Sequence, residues 1–383
     1  MSEDRFQRLD QMLAQGESAE SLKFLIEEFR QDKNYPALFE ARLMKSRLEL
    51  GLPVIQTEDS SAMPSDSRRQ YEQTVVETAR EVGHAFLAEG DIERAWPYFR
   101  AIGETAPVVE AIDKVEPAEG IEGIIGIAFQ ESVHPVKGLE LILAQHGMCR
   151  AITTFGMYAV EKGRQQCIGL LVRSLHAEVV ERMKRAIAHV EGSEPTADQI
   201  PALMARRDWL FGEYDYYVDT SHLTSLVQYA PEMTDEATLR LTHELCEYGR
   251  RLSGQFQHQG YPPFENTFTD YGRYVEALLG IETDEALAHF HKKVREAESE
   301  TLPAQVLVKL LVRIGRHAEA LEVALERLHD VSRADLSCPS PLQICQMAGD
   351  YDRLMSLART KGDLLSYAAA GLERQKDAKA AAT

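Results

Sequence analysis

Between Val75 and Pro107 the sequence VVETAREVGHAFLAEGDIERAWPYFRAIGETAP sets small, turning and bulky residues in a fixed order. Two antiparallel helices joined by a short turn need that order. Gly83 and Ala95 are small where the helices must approach closely, and Phe86 and Phe99 fill the space they leave. Gly90 is placed to turn the chain, and Pro107 is expected to stop the second helix. The unit is about 34 residues long, the period of a helical-hairpin repeat. It is architecture without chemistry, so function must be sought where the frame is interrupted.

Helical periodicity continues on both sides. Leu9, Met12 and Leu13, then Leu22, Leu25, Ile26 and Phe29, carry the three-four spacing of amphipathic helices with Gly16 between them. Residues 37–51 predict a third helix, and Gln56–Ser67 a polar surface loop. Further copies of the plan turn at Gly280, Gly315 and Gly349, and the small, charged tail GLERQKDAKAAAT is expected to fray. The spacing of Gly83, Phe86, Gly90, Ala95, Phe99 and Pro107 resembles a tetratricopeptide repeat, with Ala79 at the family's usual Trp position. That resemblance implies an all-α, right-handed α-solenoid of antiparallel helical hairpins, binding a protein or peptide partner in its concave face. The expected organisation is N-terminal helical repeats over 1–116, a central helical region with long loops and a candidate pocket over 117–275, and C-terminal helical repeats over 276–383.

Charge narrows the partners. Lys and Arg number 42 against 61 Asp and Glu, a net charge of -19, which repels phosphate backbones and anionic lipid. The expectation is a protein partner, with no nucleic acid and no membrane. MSEDRFQRLDQML lacks the apolar core of a signal peptide, and no stretch approaches the roughly 18 apolar residues of a membrane span, so the expected location is cytoplasmic. The five cysteines are scattered with no C-x2-C pair, which argues for reduced thiols rather than a disulfide framework.

The repeat is lost between about residues 117 and 275, where helices over 137–147, 163–191, 198–207, 222–229 and 234–252 are joined by irregular segments such as SGQFQHQGYPPFENTFTDYG. Of the chain's 29 Phe, Trp and Tyr, 13 lie between Trp209 and Tyr274, so this is the segment to search for a pocket. Trp209, Tyr214, Tyr216 and Tyr217 are candidate ligand-binding residues; equally, they could pack an interface between helical lobes. Asp219 precedes a helix and His222 falls in its first turn. They are candidate catalytic residues, a general base with its orienting carboxylate, or else a helix cap and a packed first-turn side chain. Arg207 and Arg250 flank the aromatic segment and could grip a carboxylate or phosphate, or pair with the surplus acids.

No nucleotide-binding glycine fingerprint, Gly-x-Ser-x-Gly elbow or HExxH is present. A divalent metal is possible on residue type alone. His134 precedes Pro135, and His146 and Cys149 form an H-x2-C pair, although His146-Gly147 also reads as a helix C-terminus. His243 and Glu247 sit four apart on one helical face, a ligand spacing that is also that of a surface pair; Glu244 lies on another face. His289 and His291 diverge by about 200° on a helix and cannot share an ion. Three functions follow: a scaffold holding a protein or peptide, an enzyme or small-molecule protein with a central aromatic, His, Asp and Arg pocket, and a self-assembling structural array.

Overall fold

The computed structural model describes residues 3–55, 63–298, 300–328 and 331–381. Every regular element among them is helical, and one isolated antiparallel bridge joins Gln259 to Asn266. The chain forms two compact units, Met1–Arg164 and Gln165–Thr383.

The first unit holds α1 (Glu3–Ala14), α2 (Ser18–Gln31), α3 (Tyr35–Glu49), α4 (Ser65–Ala88), α5 (Ile92–Ile102), α6 (Ala106–Ile112), α7 (Glu122–Ile125) and α8 (Pro135–Met157), with a π-helical turn over Gly126–Gln130. Successive helices pack on one another, α2 on α3, α3 on α4, α4 on α5 and α5 on α6. The buried apolar residues of these helices are covered by their neighbours in sequence. The α4–α5 hairpin is built as its spacing predicts. Gly90 turns the chain at φ 78°, where a Cβ would strain the backbone, and Asp91 caps α5 by accepting from Arg94 N–H at 3.0 Å. Ala95 and Phe99 are fully buried, and a Cβ on Gly83 would stand 2.6 Å from the Phe99 ring.

The second unit holds α9 (Arg164–Glu191, all but its first residue), α10 (Ile200–Met204), α11 (Thr220–Val227), α12 (Glu236–Arg251), α13 (Thr267–Leu279), α14 (Thr283–Glu296), α15 (Leu302–Arg313), α16 (His317–Arg327), α17 (Pro341–Ala348), α18 (Tyr351–Thr360) and α19 (Leu364–Ala381). From α12 to α19 each helix packs on the next around a core that includes Tyr274, Phe290, Leu310, Leu321 and Ile344. Gly280, Gly315 and Gly349 make the left-handed turns expected of them. Between α9 and α12 the order loosens: α10 and α11 are short, and 3-10 turns over Asp208–Leu210 and Ala230–Glu232 interrupt the path.

Some expectations need correction. Pro107 does not stop α5. That helix ends at Ile102, with Gly103 left-handed at φ 71°, and Pro107 lies in the first turn of α6. Proline suits a helix start because its missing N–H has no acceptor to serve there. The short helices α6 and α7 and the π turn fall where no helix was expected. Residues 56–62 of the expected polar loop lie outside the described residues, and α4 begins at Ser65. The tail is helical as far as Ala381, being rich in Ala, Lys, Arg and Glu, which favour helix. The break expected at His146-Gly147 is present: Gly147 (φ 77°, ψ -179°) divides α8 into two segments. Among the described residues no helix is long and apolar enough to cross a membrane.

Ala95→Phe should overpack the α4–α5 contact and cost about 1–3 kcal/mol in denaturant unfolding followed by circular dichroism. Gly83→Ala should destabilise as well, because its new methyl meets the Phe99 ring. Unchanged midpoints for both variants would refute this packing.

Candidate functional site

The aromatic segment divides into a buried part and an outward-facing part. Tyr248 and Tyr274 are fully buried and Phe268 nearly so, whereas Trp209, Tyr214 and Tyr216 are 41, 71 and 54% exposed. The exposed rings sit on the connection from α10 to α11, and this connection is firmly held. The buried Tyr248 hydroxyl on α12 accepts from Tyr217 N–H at 2.8 Å, and the Tyr217 hydroxyl donates to Leu210 C=O at 3.1 Å. Asp215 accepts from Gly212 N–H at 3.0 Å. The Ser253 hydroxyl donates to Glu213 C=O at 2.7 Å, and the Gln255 amide donates to the same oxygen. Arg251 covers the Phe211 ring at 4.8 Å while pairing with Asp208. These bonds satisfy backbone groups that neither helix nor sheet serves. Burial, with the Asp215 charge adding to it, pushes the Tyr217 phenol up to about 12, and burial raises Tyr248 as well. Of the exposed rings, Tyr216 leans on Phe256, with centroids 5.1 Å apart, while beneath them Tyr217 and Phe211 both meet the Tyr248 ring.

Asp219 is the N-cap of α11. Its carboxylate accepts from the backbone N–H and the hydroxyl of Ser221, at 2.8 and 2.7 Å, and these hydrogen bonds hold its pKa below the usual range. His222 stands half-buried in the first turn, its own N–H bonded to Asp219 C=O at 3.1 Å. The two are neighbours, but no hydrogen bond joins the imidazole to the carboxylate. Both Ser221 bonds fall on Oδ1 of Asp219, and the His222 ring makes no hydrogen bond to Oδ2. The two arginines are engaged: Arg207 grips Glu191 at 2.6 and 2.9 Å, and Arg250 bonds Glu247, Glu276 and Thr269 C=O.

His243 and Glu247 do face one another on α12, and α13 adds Glu276, so that one ligand atom from each lies within 4.8 Å of the others. Glu276 is almost completely buried. Its Oε1 takes His243 Nε2 at 3.3 Å and Arg250 at 3.1 Å, and its Oε2 takes Arg273 at 2.8 Å. Burial alone would raise this carboxyl, but the His243 hydrogen bond and the two guanidinium charges outweigh it and bring it to about 2. To hold a divalent ion, Glu276 would have to surrender hydrogen bonds that fill both oxygens, and the ion would face two guanidinium groups. The arrangement is a charge-balanced tie between α12 and α13. Glu244, on the other face, bonds His176 at 2.9 Å and caps Ile200 N–H at 2.8 Å. His289 bonds Asp270 and His291 bonds Glu319, two separate places, as the helical angle requires.

In the first unit His134 bonds Asp113 at 2.7 Å, and His146 and Cys149 are exposed on either side of the Gly147 break. Among the described residues these three join no three-ligand group. The same unit carries an open cavity of about 650 Å³ lined by residues that include Trp96, Pro97, Arg100, Ala101, Ile127 and Glu131. Trp96 Nε1 and Arg100 both donate to Glu131, each at 2.9 Å, which fixes the wall where the π turn ends. Sequence reasoning missed Trp96, Glu131, Tyr248 and Glu276. Trp96 lay inside the recognised unit next to Ala95, and its apolar face with one donor was the available signal.

No family model, curated protein or solved structure matches this chain.

Two outcomes follow. Tyr248→Phe should leave the Tyr217 N–H unpaired and cost about 1–3 kcal/mol, with faster hydrogen exchange over residues 212–218. Glu276→Gln should cost roughly 3 kcal/mol at neutral pH by removing the buried carboxylate that His243, Arg250 and Arg273 share, which leaves Glu247 as the acidic partner of Arg250 and Glu282 as that of Arg273. Because Glu276 titrates near 2 in the fold against an ordinary value of 4.5, its contribution is complete above about pH 4.5 and is lost as pH falls toward 2. The variant should lack that portion of the acid-induced loss in urea titrations across this range; an identical pH profile would refute the tie.

Proposed function

We propose that this chain is a helical-repeat scaffold, TPR-like and right-handed in the stacking of its hairpins, that holds a protein or peptide partner in its concave face. The succession of packed neighbours supports the reading, because stacked hairpins offer long surfaces rather than one enclosed centre. The groove beside Trp96 and Arg100 suits an extended segment: it is open, and it presents the exposed Arg100 and Glu131 over the edge of the largely buried Trp96 ring. The arrangement of titratable groups also favours a scaffold over an enzyme. Arg207, Arg250, His243 and Glu276 are committed to one another or to neighbouring helices, and Asp219 serves the backbone of α11. An enzyme site built on Asp219 and His222 would need an imidazole–carboxylate hydrogen bond that the pair does not make.

Ala101 lines the groove and is exposed, so Ala101→Trp fills it without disturbing the core. Peptides selected against the full chain from a displayed random library should lose binding to this variant while its thermal midpoint stays unchanged. Selected peptides that bind both proteins equally, with no protection of α5 in hydrogen exchange, would overturn the groove as the seat.

A further inference from the structure

The connection between α10 and α11 has a chemistry of its own. Residues 208–239 contain Asp208, Glu213, Asp215, Asp219, Glu232, Asp235 and Glu236 and no Lys or Arg. Elsewhere in the fold carboxylates are commonly matched: Glu104 with Arg80, Glu191 with Arg207, Glu276 with Arg250 and Arg273. Here Asp208 takes Arg251, while Glu213, Asp215 and Asp219 are exposed and have no lysine or arginine partner among the described residues. Between them stand the exposed rings of Tyr214 and Tyr216, with Trp209 further up the same connection. Acid and aromatic alternate on a segment whose backbone is bonded to Tyr248, Ser253 and Gln255.

We infer that this connection is a docking surface for an arginine- or lysine-rich segment of a partner protein. The inference rests on the scaffold reading and supplies the chemistry of one point of attachment. A guanidinium can stack on a tyrosine face and reach a carboxylate beside it, which matches the alternation. An apolar partner would strip water from three carboxylates and return no counter-charge. An acidic or phosphorylated partner, or a nucleic acid, would meet the same three charges as well as the net charge of the chain. The bonds that hold the backbone mean that little ordering remains to be done on contact.

The test uses the full chain, a fluorescein-labelled peptide alternating arginine and glycine, and counterparts with glutamate or leucine in place of arginine, read by fluorescence anisotropy at physiological ionic strength. The arginine peptide should bind preferentially. Tyr214→Ala with Tyr216→Ala, and separately Glu213→Gln with Asp215→Asn, should each weaken it by roughly tenfold with unchanged thermal midpoints. A control, Glu119→Gln with Glu194→Gln, removes the same charge from exposed carboxylates elsewhere and should leave affinity unchanged. Equal weakening by the control would mean attraction to net charge alone and would overturn the site. Preferential binding of the leucine or glutamate peptide, lost in the tyrosine variant, would overturn the basic partner and leave the scaffold reading standing. If no peptide binds at this connection and the displayed-library selection also returns none, both readings fall.

Discussion

A short amphipathic helix can hide only one face, and pairing it with a second still leaves an apolar flank in water. The next pair covers that flank and opens another. This constraint governs the order in which the helices pack, from α2 to α6 in the first unit and from α12 to α19 in the second. It also explains where the turns fall. Each hairpin reverses within a few residues, and the reversal at Gly90, Gly280, Gly315 and Gly349 uses the left-handed backbone that glycine reaches without steric cost. Close approach within the α4–α5 hairpin then depends on Gly83, whose missing side chain admits the Phe99 ring.

Electrostatics is shaped by a shortage of cations. With 42 basic residues against 61 acidic ones, not every carboxylate can have a cationic partner of its own. Asp270, fully buried on α13, collects His289 at 2.7 Å, Lys293 at 2.9 Å and Asn266 N–H at 2.8 Å; burial works against its ionisation, and these three partners prevail. Glu276 collects His243, Arg250 and Arg273 in the same way. Buried carboxylates gather several donors each and many exposed ones take a single arginine or lysine, whereas Glu213, Asp215 and Asp219 after Arg207 take none among the described residues.

Much of the frame was legible in the sequence because its determinants are local. Periodicity gave the helices, and turn glycines gave the reversals. Pro107 was misread because proline both ends helices and begins them; Gly103, a few residues earlier, was the discriminating signal. The site was less legible because its determinants are distant in sequence. His243 and Glu247 were visible as a helical pair, but Glu276 lies 33 residues from His243 and enters only when α12 meets α13. The aromatic richness of Trp209–Tyr274 was visible too, yet which rings would face inward depended on Tyr248, 31 residues from the N–H it bonds. Composition located the segment, and long-range packing decided its sides.

The connection after α10 is anchored largely through main-chain atoms, at Tyr217 N–H, Gly212 N–H and Glu213 C=O. Those anchors do not require the side chains of Tyr214 or Tyr216. Identity at these two positions is thereby uncoupled from the conformation of the segment that displays them, so drift or deliberate replacement there could change what the surface greets while the path of the chain persists. The loop is in that sense a mounting whose fittings are exchangeable.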